Sequence, residues 1–422
     1  MREGNIVRIK SNTIKELFVD FKQFSFHPHI NVGISNAGYS TPTPIQSQTI
    51  PAILAGNDVL GLAQTGTGKT AAFVLPILER LMKGPRGKLR ALIIAPTREL
   101  AEQTHAFIVQ LGRQTGLRSL TVYGGVSAGP QIRNLHSGVD IVVACPGRLL
   151  DLKDQRAINL ANIEILVLDE ADHMFDMGFL PAIRRIVAAV PERRQTLLFS
   201  ATMPDEIRKL ATEMLHEPVT VEIGIKKPID TISHAIYPVD QPHKLEMLLQ
   251  LLRDSGNGQI LVFTRTKHRA SKLAVQLSQA GLSATSLQGN LSQSQREVAM
   301  NAFRRGRVKV LVATDIAARG IDVSQVSHVI NYDIPDTADA YTHRTGRTGR
   351  MENLGTALSL VTQEDLPMVK TIERLMGQDL ERRKLSGFDI SLVNPSNSDQ
   401  HRKRTSRPKA HTNRYRSYAG NR

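Results

Sequence analysis

The chain has 422 residues, 41% of them hydrophobic, and a formal net charge of +15. That length exceeds one ordinary core and suits two domains of roughly 150–200 residues each. No apolar run approaches the ~18 residues of a membrane-spanning helix, and the first twenty residues lack the apolar core of a signal peptide.

A lone cysteine, Cys145, excludes an intrachain disulfide and points to a reducing, cytoplasmic setting. The positive excess favours a polyanionic partner, nucleic acid ahead of an anionic membrane surface. In chain order, a first series of short Val/Ile/Leu-rich runs comprises Asp58–Ala63, Arg90–Ala95, Asp140–Ala144, Ile163–Leu168 and Thr196–Phe199. A second comprises Gln259–Phe263, Val308–Ala313, His328–Tyr332 and Thr356–Val361. Runs of this length, bounded by Gly, Pro or charge, predict strands buried on both faces of a parallel sheet. Amphipathic stretches such as Lys267–Ala280 and Arg296–Phe303 predict the intervening helices.

The βαβ pattern occurs twice and predicts an α/β protein of two domains, at 25–224 and 234–378. Residues 1–24 form an N-terminal extension. Residues 225–233 carry Pro and two Lys without helical or strand period and form a linker. After Leu380 the composition shifts. From Glu381 to Arg422 there are eleven Lys/Arg and three acids, 11 − 3 = +8, with few apolar residues. Such a segment cannot bury enough surface to offset its ordering entropy, so residues 379–422 are expected to be a disordered basic tail.

Two stretches of the first domain carry chemistry. Ala63-Gln64-Thr65-Gly66-Thr67-Gly68-Lys69-Thr70 follows a predicted strand and opens an apolar helix, the arrangement of a phosphate-binding loop. Gly66 and Gly68 let backbone N–H groups turn onto phosphate oxygens, at a helix N-terminus whose dipole favours anions. Lys69 would neutralise the outer phosphates and Thr70 would place its hydroxyl on Mg²⁺. About a hundred residues later a buried strand runs into Asp169-Glu170-Ala171-Asp172. Ligands of α/β sheets bind at such strand ends. Asp169 is the candidate for holding Mg²⁺ and Glu170 the candidate for orienting and deprotonating the attacking water.

The phosphate loop and the DEAD quartet together resemble the DEAD-box ATP-dependent RNA helicases, bacterial members in particular, over residues 21–365. The resemblance implies two tandem RecA-like domains, each a mostly parallel sheet flanked by helices, with ATP and RNA bound at the interdomain cleft. Gly38-Tyr39 and Pro42-Thr43-Pro44-Ile45-Gln46, with Phe21 upstream, look like the family's adenine-reading motif, which implies that Tyr39 stacks on the base and Gln46 bonds its edge. Alone, this stretch reads equally as a proline-rich turn. Pro96-Thr97-Arg98-Glu99-Leu100, Gly124-Gly125 and Pro146-Gly147-Arg148 match RNA-backbone motifs, with Cys145 standing where Thr is usual. Ser200-Ala201-Thr202 matches the motif that links phosphate state to domain closure, together with Asp172 and His343.

In the second domain, the resemblance puts Gln288, Gly289, Arg296 and Thr314 on RNA and Gly320 and Asp322 near the ATP ribose. Gln288 replaces the usual His. His343-Arg344-Thr345-Gly346-Arg347-Thr348-Gly349-Arg350 then implies that Arg347 and Arg350 are arginine fingers, completing the catalytic set of Lys69, Asp169 and Glu170 on closure. ATP and Mg²⁺ are the implied cofactors, and RNA the partner, with ribosome-assembly or RNA-decay complexes as the setting. A DNA-directed helicase and a non-catalytic ATP-gated RNA clamp are the competing readings.

Overall fold

A computed structural model describes residues 20–64, 66–223, 232–318, 326–349 and 355–385. The expected extension up to residue 19, most of the linker and the tail from residue 386 lie outside them.

Seven strands build the first sheet: β1 Val59–Leu62, β2 Ala91–Ile94, β3 Ser119–Val122, β4 Ile141–Ala144, β5 Ile165–Leu168, β6 Gln195–Ser200 and β7 Val219–Glu222. Their order is β3-β4-β2-β5-β6-β1-β7, parallel throughout. The second sheet holds β8 Ile232–Pro238, β9 Gln259–Phe263, β10 Ala284–Leu287, β11 Val310–Ala313, β12 Val326–Asn331, β13 Gly355–Val361 and β14 Glu381–Arg382. Its order is β10-β11-β9-β12-β13-β8-β14, again parallel. Subtracting seven from each label gives 3-4-2-5-6-1-7, the order of the first sheet. The two RecA-like halves are one topology used twice.

Each central strand feeds two cores. In β2, Ala91 and Ile93 join one apolar cluster while Leu92 and Ile94 join another. In β9, Ile260 and Val262 pack on one face, Leu261 and Phe263 on the other. A period-two alternation is therefore hidden inside runs that read as uniformly apolar, because helices cover both faces of the sheet. A tight contact sits on the strand that leads into the phosphate loop. A Cβ on Gly61 of β1 would stand 2.5 Å from the Phe199 ring of β6, so only glycine lets these neighbouring strands carry that aromatic.

Both outer boundaries differ from the sequence reading. Phe21 and Phe24, expected in the extension, form a 3₁₀ turn buried in the first core. Glu381–Arg382, expected in the tail, is an edge strand on β8, and Leu385 packs against the second core. Exposed charged residues on a sheet edge carry a tail-like composition while their backbone bonds the ladder.

Candidate active site

The phosphate loop links β1 to the helix Lys69–Met82. Gly66 and Gly68 have φ of 83° and 93°, where a side chain would be strained. Lys69 is buried, and its Nζ donates to the Ala63 carbonyl at 2.8 Å, so the ammonium is folded back into the loop it serves. Gln64 accepts from the Thr67 hydroxyl at 2.8 Å, and Thr70 is half-buried at the helix start. Thr65 lies outside the described residues.

The adenine-motif residues brace this loop. Gln46 is 3% exposed; its Nε2 donates to Gly68 O at 3.1 Å and its Oε1 accepts from Thr43 N at 2.8 Å. A Cβ on Gly68 would meet Gln46 Nε2 at 2.5 Å, so the glycine is required by both its φ and its neighbour. Tyr39 stacks on Phe21, with centroids 5.8 Å apart and planes 18° from parallel.

At the C-terminal end of β5 four side chains gather. Asp169 is 2% exposed; burial and the nearby Glu170 charge push its carboxyl up to about 7 against the pull of Lys69. Glu170 caps the helix Ala171–Asp176 with φ 53° and ψ 54°, a left-handed conformation costing a non-glycine residue about 1 kcal/mol or more. Burial opposes its ionisation, but His173, Lys69 and Arg347 together hold the carboxyl well below the usual range. Asp172 is likewise held low, with burial outweighed by His173, Lys69 and His343. Its Oδ2 accepts from Ala201 N at 3.1 Å, Thr202 N at 2.9 Å and Thr202 Oγ1 at 3.2 Å, while its own N–H donates to Ser200 Oγ at 3.3 Å. Ser200 and Thr202 are therefore hydrogen-bonded to the last residue of the acidic quartet.

The second domain closes over this end. His343, on the helix Ala338–Thr345, places Nε2 3.9 Å from Asp172 Oδ2 and its ring edge-on to His173 at 4.7 Å and 83°. Arg347 is buried and lies close enough to Glu170 to act on its charge. Arg344 has another duty: it is 2% exposed and grips Asp315 at 2.5 and 2.7 Å, Asn331 Oδ1 and Asp333 O. Arg350, Gly320 and Asp322 lie outside the described residues.

The expected RNA-contact residues divide. Thr97 caps the helix Arg98–Leu111, accepting from Leu100 N at 3.3 Å, and Pro96 is buried before it. A Cβ on Gly124 would meet nothing within 4 Å, whereas one on Gly125 would lie 1.7 Å from Arg98 Nη2. Arg148, at the start of the helix Pro146–Asp154, reaches Val126 O at 3.0 Å; Gly147 beside it is exposed. Cys145 caps that helix without a side-chain bond, and burial pushes its thiol up to about 12, so it is an inert apolar spacer. Thr314 is half-buried just past β11, and Gly289 is exposed.

Two placements differ from expectation. Gln288 is buried and committed inside its own domain, donating to Ser271 Oγ at 3.2 Å and accepting from Asn290 N at 2.6 Å. Arg296, expected on an RNA phosphate, instead forms an interdomain ion pair with Glu99 at 2.6–2.8 Å. Beside it, Arg98 donates to Gln293 Oε1 at 3.0 Å. Glu99 stands in the Pro96–Leu100 motif without a role of its own in the sequence, and Gln293 and His173 fall outside every motif read there. His173 alone had a local signal, its i, i+3 spacing from Glu170.

Two RecA-like sheets, a phosphate loop and acidic quartet on one, and a buried histidine and arginine of the other closing on them define a two-domain nucleic-acid helicase. Comparison with known proteins narrows this. Residues 43–210 match the DEAD/DEAH box helicase model and residues 243–352 the helicase conserved C-terminal domain model. The chain is 40% identical over 376 residues to the DEAD-box ATP-dependent RNA helicase CshA of Bacillus subtilis, covering 89% of this chain and 76% of that protein. It is 44% identical over 350 residues to the RNA helicase CrhR of Synechocystis, covering 82% and 71%. Among solved structures, Saccharomyces cerevisiae Dbp5 bound to RNA and ADP BeF3 is similar at a TM-score of 0.79 and 32% identity, covering 87% of this chain and 96% of that one. A DEAD box protein from Methanococcus jannaschii is similar at 0.51 and 36%, covering 86% and 99%. The chain belongs to the DEAD-box ATP-dependent RNA helicases. Among the described residues no helix is long and apolar enough to cross a membrane.

Proposed function

We propose that ATP and single-stranded RNA bind between the two domains and hold them together, and that this closure completes the hydrolytic site. The observation that carries the reading is the meeting of Glu170 and Asp172 with Arg347 and His343 across the domain boundary. Lys69 would release the Ala63 carbonyl to neutralise the outer phosphates, with the Gly66 and Gly68 backbone cradling them. Tyr39 and Gln46 would form the adenine end. Gln46 bonds Gly68, so base recognition and phosphate-loop shape are one unit.

The residues present suit Mg²⁺. Asp169 is a buried carboxyl whose burial outweighs the pull of Lys69, and Thr70 adds a hydroxyl from the first turn of the helix that follows the phosphate loop. Hard oxygen donors fit this ion, which needs only one or two protein ligands when phosphates supply others. Bound there, it would neutralise charge on the phosphate oxygens. Glu170 then accepts a proton from water as the water oxygen bonds the γ-phosphorus and the bond to the β-phosphate oxygen breaks. A triphosphate draws the fields of Lys69 and Arg347 onto itself, which raises the basicity of Glu170 from its depressed resting value. Arg347, and Arg350 by its place in the motif, would stabilise the transferring group, a contribution of about 10³–10⁵ in rate for such fingers.

Thr97, Arg98, Gly124, Gly125, Gly147 and Arg148 supply a first-domain path for the RNA backbone, and Gly289 and Thr314 a second-domain path. A strand bent across both would be incompatible with a continuous duplex, giving local unwinding of short helices. The TM-score of 0.79 to an RNA- and ADP BeF3-bound relative supports the closed arrangement. A cytoplasmic site of action, in ribosome-assembly or RNA-decay complexes, completes the proposal; a lone cysteine fits a reducing compartment.

The test is ATP turnover of wild type and Glu170→Gln with RNA, with matched single-stranded DNA and with neither. RNA-stimulated turnover should fall by about 10²–10⁴-fold in the variant. Undiminished turnover rejects the base, and equal stimulation of the wild type by DNA rejects the choice of RNA.

A further inference from the structure

We propose that His173 is the positioning residue for Glu170, holding its carboxylate and tying its orientation to closure of the second domain. The inference rests on the reading of Glu170 as the base and goes beyond the helicase motifs, because His173 is the residue immediately after the acidic quartet.

His173 Nδ1 lies 2.7 Å from Glu170 Oε2, with side-chain exposures of 2% and 7%. An ionised carboxylate only accepts, so the proton of this bond sits on Nδ1 and points at Oε2. One carboxylate oxygen is thereby fixed, and the other would be the one to face the attacking water. Glu170 needs such a partner. Its backbone is held in the left-handed region at the very start of a helix, and the bond to His173 selects one of the staggered side-chain rotamers open to it there.

The other side of the imidazole touches the second domain. The His343 ring meets it edge-on at 4.7 Å and 83°, and His343 Nε2 stands 3.9 Å from the Asp172 carboxylate that the Ser200-Ala201-Thr202 segment holds. His173 also bonds Asp172 through its own backbone N–H at 3.1 Å. The charged and titratable groups around the ring are thus Glu170 and Asp172 from its own segment and His343 from the opposing helix, with Lys69 and Arg347 acting on the same carboxylates. When the domains part, the ring loses one wall, and the carboxylate loses a rigid anchor. Closure sets the angle of the base as well as delivering Arg347.

The experiment measures kcat and the KM for ATP at saturating RNA for His173→Ala, His173→Asn and Glu170→Gln. Asparagine keeps an N–H donor near the place of Nδ1. His173→Ala should lower kcat roughly 10- to 100-fold, the scale of a misplaced group, with KM for ATP unchanged, because the interaction matters to the transition state and not to nucleotide binding. His173→Asn should recover most of that loss. Adding His343→Ala to His173→Ala should cost less than the sum of the two single losses. Wild-type kcat in His173→Ala, or His173→Asn as slow as His173→Ala, overturns the proposal. If Glu170→Gln itself turns over normally, the base assignment falls; if only the His173 variants do, the base stands and its positioning by His173 falls.

Discussion

His234 of β8 illustrates a site whose chemistry is silent in the sequence. It is 8% exposed, its Nδ1 lies 3.0 Å from the Tyr341 hydroxyl, and burial lowers its pKa from 6.5 to about 4. The folded pKa lies below the unfolded one, so the unfolded chain binds the extra proton between them. Stability is full above about pH 6.5 and declines as pH falls towards 4. At pH 5 the loss is about 2 kcal/mol. Urea midpoints of wild type and His234→Gln at pH 7 and pH 5 check this: the variant should lose less on acidification, and equal losses reject the assignment. Legibility at this scale followed locality. Lys69, Asp169 and Glu170 stand in contiguous motifs, Lys69 at the helix start after the phosphate loop and the two acids at the end of β5. Glu99 and Arg296 are 197 positions apart, and nothing within either stretch announces the other.

Among elements, the central strands were legible and the edges were not. β2, β4, β5, β9 and β11 are fully buried and read as apolar runs, whereas β3, β10, β7 and β14 are half-exposed or exposed and lack the signal. β8 is buried but carries Ser233 and His234 and ends at Pro238, which breaks its apolar pattern. Away from the acidic quartet, the two domains also meet through a pair of helices, Arg98–Leu111 and Gln293–Arg304, by way of Glu99–Arg296 and Arg98–Gln293. Both members of the ion pair are 14% exposed, so the contact is shielded more than an ordinary surface pair. Reversing one charge should weaken closure and raise the RNA concentration needed for half-maximal ATPase about tenfold, equivalent to ~1.4 kcal/mol. The Glu99→Arg and Arg296→Glu single variants should each show this, and the double swap should recover much of it. A double swap worse than either single variant would show that Arg296 acts on RNA itself.

For the whole molecule, the two sheets of identical strand order have divided the labour: the first carries the phosphate loop and acids, the second supplies His343 and Arg347. Affinity for a polyanion need not follow that division. Beyond Leu385 the chain holds eight Lys/Arg and two Asp, 8 − 2 = +6 of the total +15. Charge that contacts phosphates anywhere along a strand adds binding without ordering the cleft, and each neutralised single-strand phosphate contributes about −0.7 to the log–log salt slope. Six would contribute a slope of about −4. Truncation after Leu385, which spares β14 and the packed Leu385 side chain, should therefore flatten the salt dependence of RNA binding while RNA-independent ATPase is unchanged. Fluorescence anisotropy of a labelled single strand between 50 and 200 mM salt, roughly the range over which such contacts respond most steeply, reads the slope directly. An unaltered slope would place the RNA-binding charge on the two folded domains and leave the tail without a part in it.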